Sequence, residues 1–494
     1  MNEKFTLAID QSTSATKFLL FDNKALLRHR LMLEHHQYYP KAGWVEHDPE
    51  EILENIYKGV KALLNKSGVA PQDLVSVAIT NQRESVLVWD AATSKAVYPV
   101  VVWQCQRGAA ICSELKSRGY EEMLRSRTGL LIDPYFSASG VQWILEEIPG
   151  LKERARAGEL RMGTMDSWLI WNLTGGKVHA TDQTNASRTL LFNIHKLSWD
   201  REILSLFDIP ESMMPQVLAS DQVFGSTDLN GLLPNAIPIA GVLGDSHGAL
   251  VGQSCFVPGM GKATYGTGSS VMVNIGSSPL RAPEGLVTSV AFAAQGKTHY
   301  AFEGNIHCTG ATIKWMVDEL ELLTNSAESE ALALSVDDNA GVYLVPAFAG
   351  LGAPWWKPDA RAIICGLSRG SSKAHIVRAG LEAIAYQVKD LVDLMLRQAG
   401  IALEELRVDG GPVHNRFLMQ FQADMLNAPI NISPIEEASA LGAVFMNFLA
   451  LGRIRRLEDL TKFRSRDKQL SPQMSAAKRE QLYAAWQQAV NMIL

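Results

Sequence analysis

The chain has 494 residues, more than one hydrophobic core readily spans, so two large domains are expected. Its 46 basic and 52 acidic residues leave a formal charge of −6 without a long basic run, which excludes a nucleic-acid or anionic-membrane binder and points to a small-molecule partner. With 47% hydrophobic and 20% charged residues, the composition is that of a soluble globular protein, neither disordered nor fibrous.

Residues 5–22 read as a β-hairpin: an apolar strand ending in Asp10, a small polar turn, and a second apolar strand over 18–21. Helical periodicity follows over 50–64. A strand over 74–79 stops at the polar cluster Asn81-Gln82-Arg83-Glu84, ahead of another apolar strand over 86–89, and charged strand ends of this kind commonly face a cleft. Pro234-Asn235-Ala236 interrupts the chain before a strand over 237–242 that runs into Gly244-Asp245. The domain boundary is expected just beyond, dividing 1–252 from 253–494. A second hairpin over 263–274 carries the turn Gly266-Thr267-Gly268-Ser269-Ser270. A strand over 406–408 ends in Asp409-Gly410-Gly411, and a helical stretch follows over 415–425. No low-complexity segment or short repeat occurs; the duplication is of whole domains, visible as two similar hairpins.

A nucleotide's phosphate tail requires backbone N–H groups, small hydroxyl side chains and a metal, because its oxygens are crowded acceptors of high charge. The turn Asp10-Gln11-Ser12-Thr13-Ser14-Ala15-Thr16-Lys17 offers small residues, a carboxylate for hydrated Mg²⁺ and a cation, and the turn at 266–270 offers donors opposite. Each alone is equally an ordinary hairpin turn; the two become persuasive together with Asp409-Gly410-Gly411. No GxxxxGK[ST] occurs, since Gly261-Lys262-Ala263 fails that pattern, and no GxGxxG opens a helix, so a P-loop kinase and a dinucleotide-dependent dehydrogenase are both excluded. The five cysteines (Cys105, Cys112, Cys255, Cys308, Cys365) are scattered without a CxxC pair, which suggests neither a disulfide framework nor a zinc site. The opening MNEKFTLAID has no cationic and then apolar signal, and no apolar run reaches membrane-spanning length, so a cytoplasmic location is expected.

Seven strings carry a resemblance: Gly43-Trp44-Val45-Glu46-His47-Asp48-Pro49, Thr80-Asn81-Gln82-Arg83-Glu84, Val102-Trp103-Gln104-Cys105, the stretch from Thr128-Gly129-Leu130 to Asp133-Pro134-Tyr135-Phe136-Ser137, Thr184-Asn185-Ala186-Ser187-Arg188-Thr189, Gly350-Leu351-Gly352-Ala353-Pro354, and Arg407-Val408-Asp409-Gly410-Gly411. Over nearly its full length the chain resembles the FGGY carbohydrate kinase family, and within it the glycerol kinases. The resemblance implies an α/β fold of two RNase H-like (actin-like ATPase) domains flanking a catalytic cleft, with acceptor residues mainly in the first and nucleotide residues mainly in the second. It implies ATP and Mg²⁺, with Asp10 holding the metal directly or through water and Asp245 as the general base. A carboxylate at a strand end suits that role, because an attacking hydroxyl must lose its proton. Arg83, Glu84, Trp103 and Tyr135 match the residues that hold glycerol, and Thr13, Ser14, Lys17, Thr267, Gly310, Lys314, Gly411 and Asn415 match those that contact ATP. A homodimer or homotetramer is compatible with the resemblance.

The pattern breaks around the acceptor. The family's Gly-Asp-Gln-Gln is Gly244-Asp245-Ser246-His247 here, and Ser270 replaces an aromatic that lies against glycerol. Lys17 and Lys314 replace an arginine and a glutamine, and Gly140 replaces a lysine. The expected reaction is therefore phosphorylation of a terminal hydroxyl of glycerol, or of a four- or five-carbon polyol or ketose if the two serines enlarge the pocket. A non-catalytic actin-like sensor of nucleotide and sugar and a nucleotide hydrolase of the same superfold stand as rivals.

Overall fold

The computed structural model describes residues 3–435, 437–463 and 468–494; Met1 and Asn2 of the opening stretch lie outside the described residues. Strands β1 (Phe5–Gln11) and β2 (Ala15–Phe21) form the first expected hairpin, paired antiparallel from Thr6↔Phe21 to Gln11↔Thr16. Strand β3 (Leu27–Glu34) closes one edge, and β4 (Leu74–Asn81), β5 (Val223–Thr227) and β6 (Ile237–Gly244) complete a six-stranded sheet in the order β5-β6-β4-β1-β2-β3. β1 is buried on both faces, which is why it reads as an almost unbroken apolar run, while the edge strand β3 alternates in exposure. Helix α1 (Pro49–Ser67) covers one face. Asp48 caps it by accepting from the amides of Glu50 and Glu51, proline opens it, and Gly68 ends it in the left-handed region at φ 71°. Its stripe Ile52, Ile56, Val60 and Leu63 packs into one core with Phe18, Leu20 and Val77.

The second half repeats the plan. Strands β7 (Met260–Tyr265) and β8 (Ser269–Gly276) form the second expected hairpin, joined by β9 (Val287–Ala294), β10 (Lys297–Ile306), β11 (Glu405–Gly410), β12 (Ile430–Ile432) and β13 (Lys468–Leu470) in the order β9-β10-β8-β7-β11-β12-β13. In both halves a hairpin's first strand pairs in parallel with a later strand (β1 with β4, β7 with β11), which pairs in parallel with the next (β6, β12). This shared order is the duplicated RNase H-like topology the resemblance implies.

Several strands run further than the sequence pattern predicts. β4 continues through Asn81 because parallel pairing with β1 persists to Gln11↔Asn81, and β6 continues through Gly244 by pairing with β4 to that same residue. Asn81 and Gly244 thus sit on paired backbone, while Gln82, Arg83 and Glu84 lie in the short bend before the next strand. Three helices follow: α2 (Asp245–Gly252) directly after β6, α3 (Gly310–Asp318) after β10, and α4 (Lys373–Ala399) across the second sheet. α5 (Arg416–Leu426) follows β11, and α6 (Ala438–Ala450) from the second half lies on the first, against α2, β6, β4 and β1. A Cβ on Gly442 of α6 would overlap the Gly248 carbonyl oxygen of α2, so only glycine permits this approach. Asn447 of α6 locks the contact by donating to the carbonyls of Val77 at 3.2 Å and Ala240 at 2.9 Å.

A further four-stranded sheet, with Glu46–His47 ahead of β4 and Val86–Asp90, Val100–Val101 and Leu160–Thr164 between β4 and β5, forms its own apolar cluster, against which Trp103 and Tyr135 pack. Among the described residues no helix is long and apolar enough to cross a membrane.

Candidate active site

The second hairpin turn is closed by Gly266 N–H on Gly268 O at 2.8 Å, and α3 docks on it through the Gly310 amide, which donates to Gly266 O at 3.0 Å. A Cβ at Gly310 would overlap that oxygen, so the helix start must be glycine. A groove of about 1000 Å³ opens beside this turn and brings together Thr267, Gly310, Lys314, Gly411 and Asn415, with Ile313, Leu334, Leu381, Ile384 and Leu418 supplying an apolar lining of the kind a base requires. Within it Lys314 is largely exposed, 3.9 Å from Asp318. Asn415 has a structural task as well: its Oδ1 accepts from Leu418 N at 2.9 Å, capping α5.

Across the cleft, four buried charged residues converge from distant positions. Arg83 donates to Glu303 through two nitrogens at 2.8 and 3.0 Å, and Arg188 donates to Glu84 at 2.7 Å and lies 2.8 Å from Glu303. Burial alone would raise the Glu303 carboxyl, but Arg188 and Arg83 overcome it and hold the group well below the usual carboxylate range. Burial opposes the Arg83 charge in turn, and Glu303 and Glu84 more than offset it, so the guanidinium stays protonated. Its Nε lies 3.2 Å from Asp245 Oδ1. Asp245 occupies the first position of α2, where its carboxylate also accepts from the Ser246 amide at 2.6 Å and keeps 38% of its side chain exposed to the cleft. It is a fixed, partly solvent-exposed carboxylate held by a buried cation.

Trp103 and Tyr135 meet edge to face at 5.4 Å, and burial pushes the tyrosine hydroxyl's pKa up. The Trp103 indole donates to Thr13 Oγ1 at 2.9 Å, tying this aromatic pair to the first hairpin turn. Ser270 on β8 sits in register between Thr264 and Asn305, and its hydroxyl oxygen is buried without a hydrogen-bond partner. His247 does not reach the cleft: it is fully buried, its Nε2 lies 3.1 Å from Ser289 Oγ, and burial with the nearby Arg83 charge keeps it neutral.

The N-terminal domain model of the FGGY family of carbohydrate kinases matches residues 5–252, and the C-terminal domain model matches residues 261–451. The chain belongs to the FGGY family of carbohydrate kinases. It is 50% identical to glycerol kinase 1 of Thermotoga maritima over 490 residues, 99% of each chain, and 48% identical to the glycerol kinase of Caldanaerobacter subterraneus subsp. tengcongensis over 99% of this chain and 98% of that one. Its fold superposes on the crystal structure of Plasmodium falciparum glycerol kinase with ADP with a TM-score of 0.94 at 35% identity, covering 100% of this chain and 98% of that one. A xylulose kinase from Lactobacillus acidophilus, 20% identical with a TM-score of 0.88, shares the fold.

In this FGGY kinase the first hairpin holds one surprise. Asp10 is buried, and burial pushes its carboxyl up to about 7; Lys17 lowers it, while Asp245 and Glu437 raise it further. Lys17, matched to a phosphate contact by resemblance, instead places its ammonium 2.7 Å from Glu437 and 3.8 Å from Asp10. The ion pair links the first hairpin to the residue that starts α6, 420 positions away. Sequence reasoning had no role for Glu303, Glu437 or Arg188. Glu303 did leave a signal, the single carboxylate of strand β10, directly after the apolar Tyr300-Ala301-Phe302, and Arg188 lies in one of the seven family strings.

Proposed function

We propose that this kinase transfers the γ-phosphoryl group of ATP to a terminal hydroxyl of glycerol, giving glycerol 3-phosphate and ADP. The observation that carries this reading is Asp245, a partly exposed carboxylate at the junction of β6 and α2, 3.2 Å from a buried guanidinium and close enough to Asp10 of the first hairpin to raise its pKa. The full-length similarity to glycerol kinases supports the choice of acceptor. On this reading Asp245 accepts the proton of the attacking hydroxyl, Arg83 and Glu84 bind the other hydroxyls, and Trp103 with Tyr135 walls the carbon skeleton. Thr13, Ser14, Thr267, Gly310, Lys314, Gly411 and Asn415 hold the nucleotide, and Lys17 acts on the phosphates only if it leaves Glu437. Acceptor binding then falls mainly to residues 1–252 and nucleotide binding to 253–494, and catalysis is chiefly positioning and neutralisation of charge.

Mg²⁺ is proposed together with ATP. Kinase sites hold it through one or two carboxylates plus substrate phosphates rather than through a protein cage. The donor set fits: Asp10 is a single buried carboxylate beside the first turn, and among the described residues no group of three or more His, Cys, Asp or Glu could hold a metal. Bound there, directly or through water, the ion would neutralise phosphate charge.

A second reading, a four- or five-carbon polyol or ketose as acceptor, is favoured by the unpartnered Ser270 hydroxyl, which could bond one further substrate hydroxyl. ADP release measured with glycerol, dihydroxyacetone, tetritols, tetruloses, pentitols and pentuloses decides between the two. The highest kcat/KM on glycerol supports the first reading, and a higher value on a longer acceptor supports the second. Release of ADP without any acceptor would make the protein a hydrolase, and binding without turnover across the panel would make it a sensor.

A further inference from the structure

Lys262, on β7, is 2% exposed. Its ammonium donates one hydrogen bond, to Thr264 Oγ1 at 3.2 Å, and among the described residues no carboxylate oxygen lies within 4.0 Å of it. The other buried cations nearby are paired: Arg83 and Arg188 with Glu303, and Arg407 with Glu405. An ammonium carries three donors, and a buried charge without a countercharge is strongly destabilising. Lys262 thus keeps two donors and its full charge unanswered in a protein that pairs its buried arginines.

Its position says what could answer it. Strand alternation places Lys262 and Thr264 on one face of the second sheet. On that face Lys262 is level with Met272 and then Glu303, the carboxylate of the acceptor network. Thr264 is level with Asp409, which leads directly into Gly410 and the nucleotide groove at Gly411. Burial works against protonation of the Lys262 amine, the charges of Asp409, Glu303 and Asp245 favour it, and that of Arg83 opposes it. Among the described residues the one group that answers this cation directly is the hydroxyl of Thr264, a half-buried residue. A buried, under-coordinated cation between a nucleotide groove and a general base is suited to a group that arrives with the nucleotide and carries several negative oxygens.

We propose that Lys262 is a further catalytic residue, its ammonium binding the phosphoryl group as it passes from ATP to the acceptor. The inference rests on the reading of the cleft as an ATP-dependent kinase site. In the step the bond between the γ-phosphorus and the β,γ-bridging oxygen breaks and the bond from acceptor oxygen to phosphorus forms. The acceptor proton goes to Asp245, ADP leaves with the bridging oxygen, and Lys262 keeps its proton throughout. A cation aimed at the transferring oxygens serves the transition state more than it serves ADP, which lacks that group.

The test is Lys262→Met, of similar length and without charge, with calorimetric binding of ADP and of the imido analogue of ATP in the presence of Mg²⁺. The expected result is ADP affinity within about threefold of wild type, analogue affinity weaker by about tenfold or more, and kcat lower by roughly 10²-fold or more. Equal changes in both affinities, or a kcat within about threefold of wild type, overturn the proposal, because a lysine that only supports the fold would not distinguish the two nucleotides. If Lys262→Met does not fold, Thr264→Val decides. Removing the hydroxyl that holds the ammonium should weaken the analogue relative to ADP, and an unchanged ratio overturns the proposal. Wild-type protein that turns over no acceptor defeats the kinase reading itself, whereas normal wild-type turnover with unaltered discrimination in the variants defeats this inference alone.

Discussion

Glu303→Gln tests whether the buried network sustains both the fold and the base. The glutamate accepts three bonds or ion contacts, at 2.8 and 3.0 Å from Arg83 and 2.8 Å from Arg188. A glutamine of the same shape keeps one acceptor oxygen and no charge, so at least one contact is lost and two buried guanidiniums share less countercharge. Removing one partner of a buried ion pair costs about 3–5 kcal/mol, and a lost hydrogen bond to a charged group about 1.5–3 kcal/mol; the two estimates meet near ~3 kcal/mol. At about 2–4 °C per kcal/mol for a domain of this size, Tm should fall by about 6–12 °C. The freed Arg83 should also lean on Asp245, 3.2 Å from its Nε, and stabilise the ionised base, lowering kcat while ADP binding is preserved. Differential scanning calorimetry and coupled ADP release measure the two effects on one sample. Lys58→Met, which breaks the exposed Lys58–Glu54 pair, is the control and should shift Tm by less than about 3 °C. If Glu303→Gln shifts Tm no more than the control does and leaves kcat unchanged, the network does not act as described.

Asp245→Asn should lower kcat by orders of magnitude with nucleotide binding intact, since the amide keeps the shape but cannot take the proton, and a variant with most of its activity removes Asp245 from that role. Because Asp10 titrates near about 7 in the free protein and must be ionised to hold a cation, the Mg²⁺ needed for half-maximal rate should rise as pH drops below about 7 and level off above it. A Mg²⁺ requirement that is flat between about pH 6 and 8 contradicts this assignment. The same raised pKa costs the ligand-free fold stability as pH climbs from the unfolded value of 3.8 to about 7, so Asp10→Asn should raise Tm near neutrality and not in acid; equal shifts at both would refute it. Ser270→Ala should leave glycerol turnover unchanged and, if a longer acceptor uses that hydroxyl, reduce kcat/KM for that acceptor by roughly 10-fold or more. Identical effects on both acceptors would separate Ser270 from specificity.

What the sequence by itself determined was local. The two hairpins, the helical periodicity over 50–64, the glycine turns and the strand that stops at the cluster Asn81-Gln82-Arg83-Glu84 were legible because apolar periodicity and turn chemistry depend on neighbours in the chain. The whole-domain duplication was legible from its hairpins, and the resemblance pointed to Asp245 and the nucleotide turns. Strand lengths were underestimated, because β4 and β6 continue as long as a partner strand runs beside them, and the partner is not in the local pattern. Only the tertiary structure decided who answers which charge. Glu303, 220 positions away, is brought onto Arg83, and Glu437, 420 positions away, meets Lys17. Lys262 looked like one residue of a failed phosphate motif until burial removed its water without supplying a carboxylate. Secondary structure is chosen over a few residues, whereas the energy of a charge depends on what remains around it once water is gone, and that is set by chain segments hundreds of residues apart.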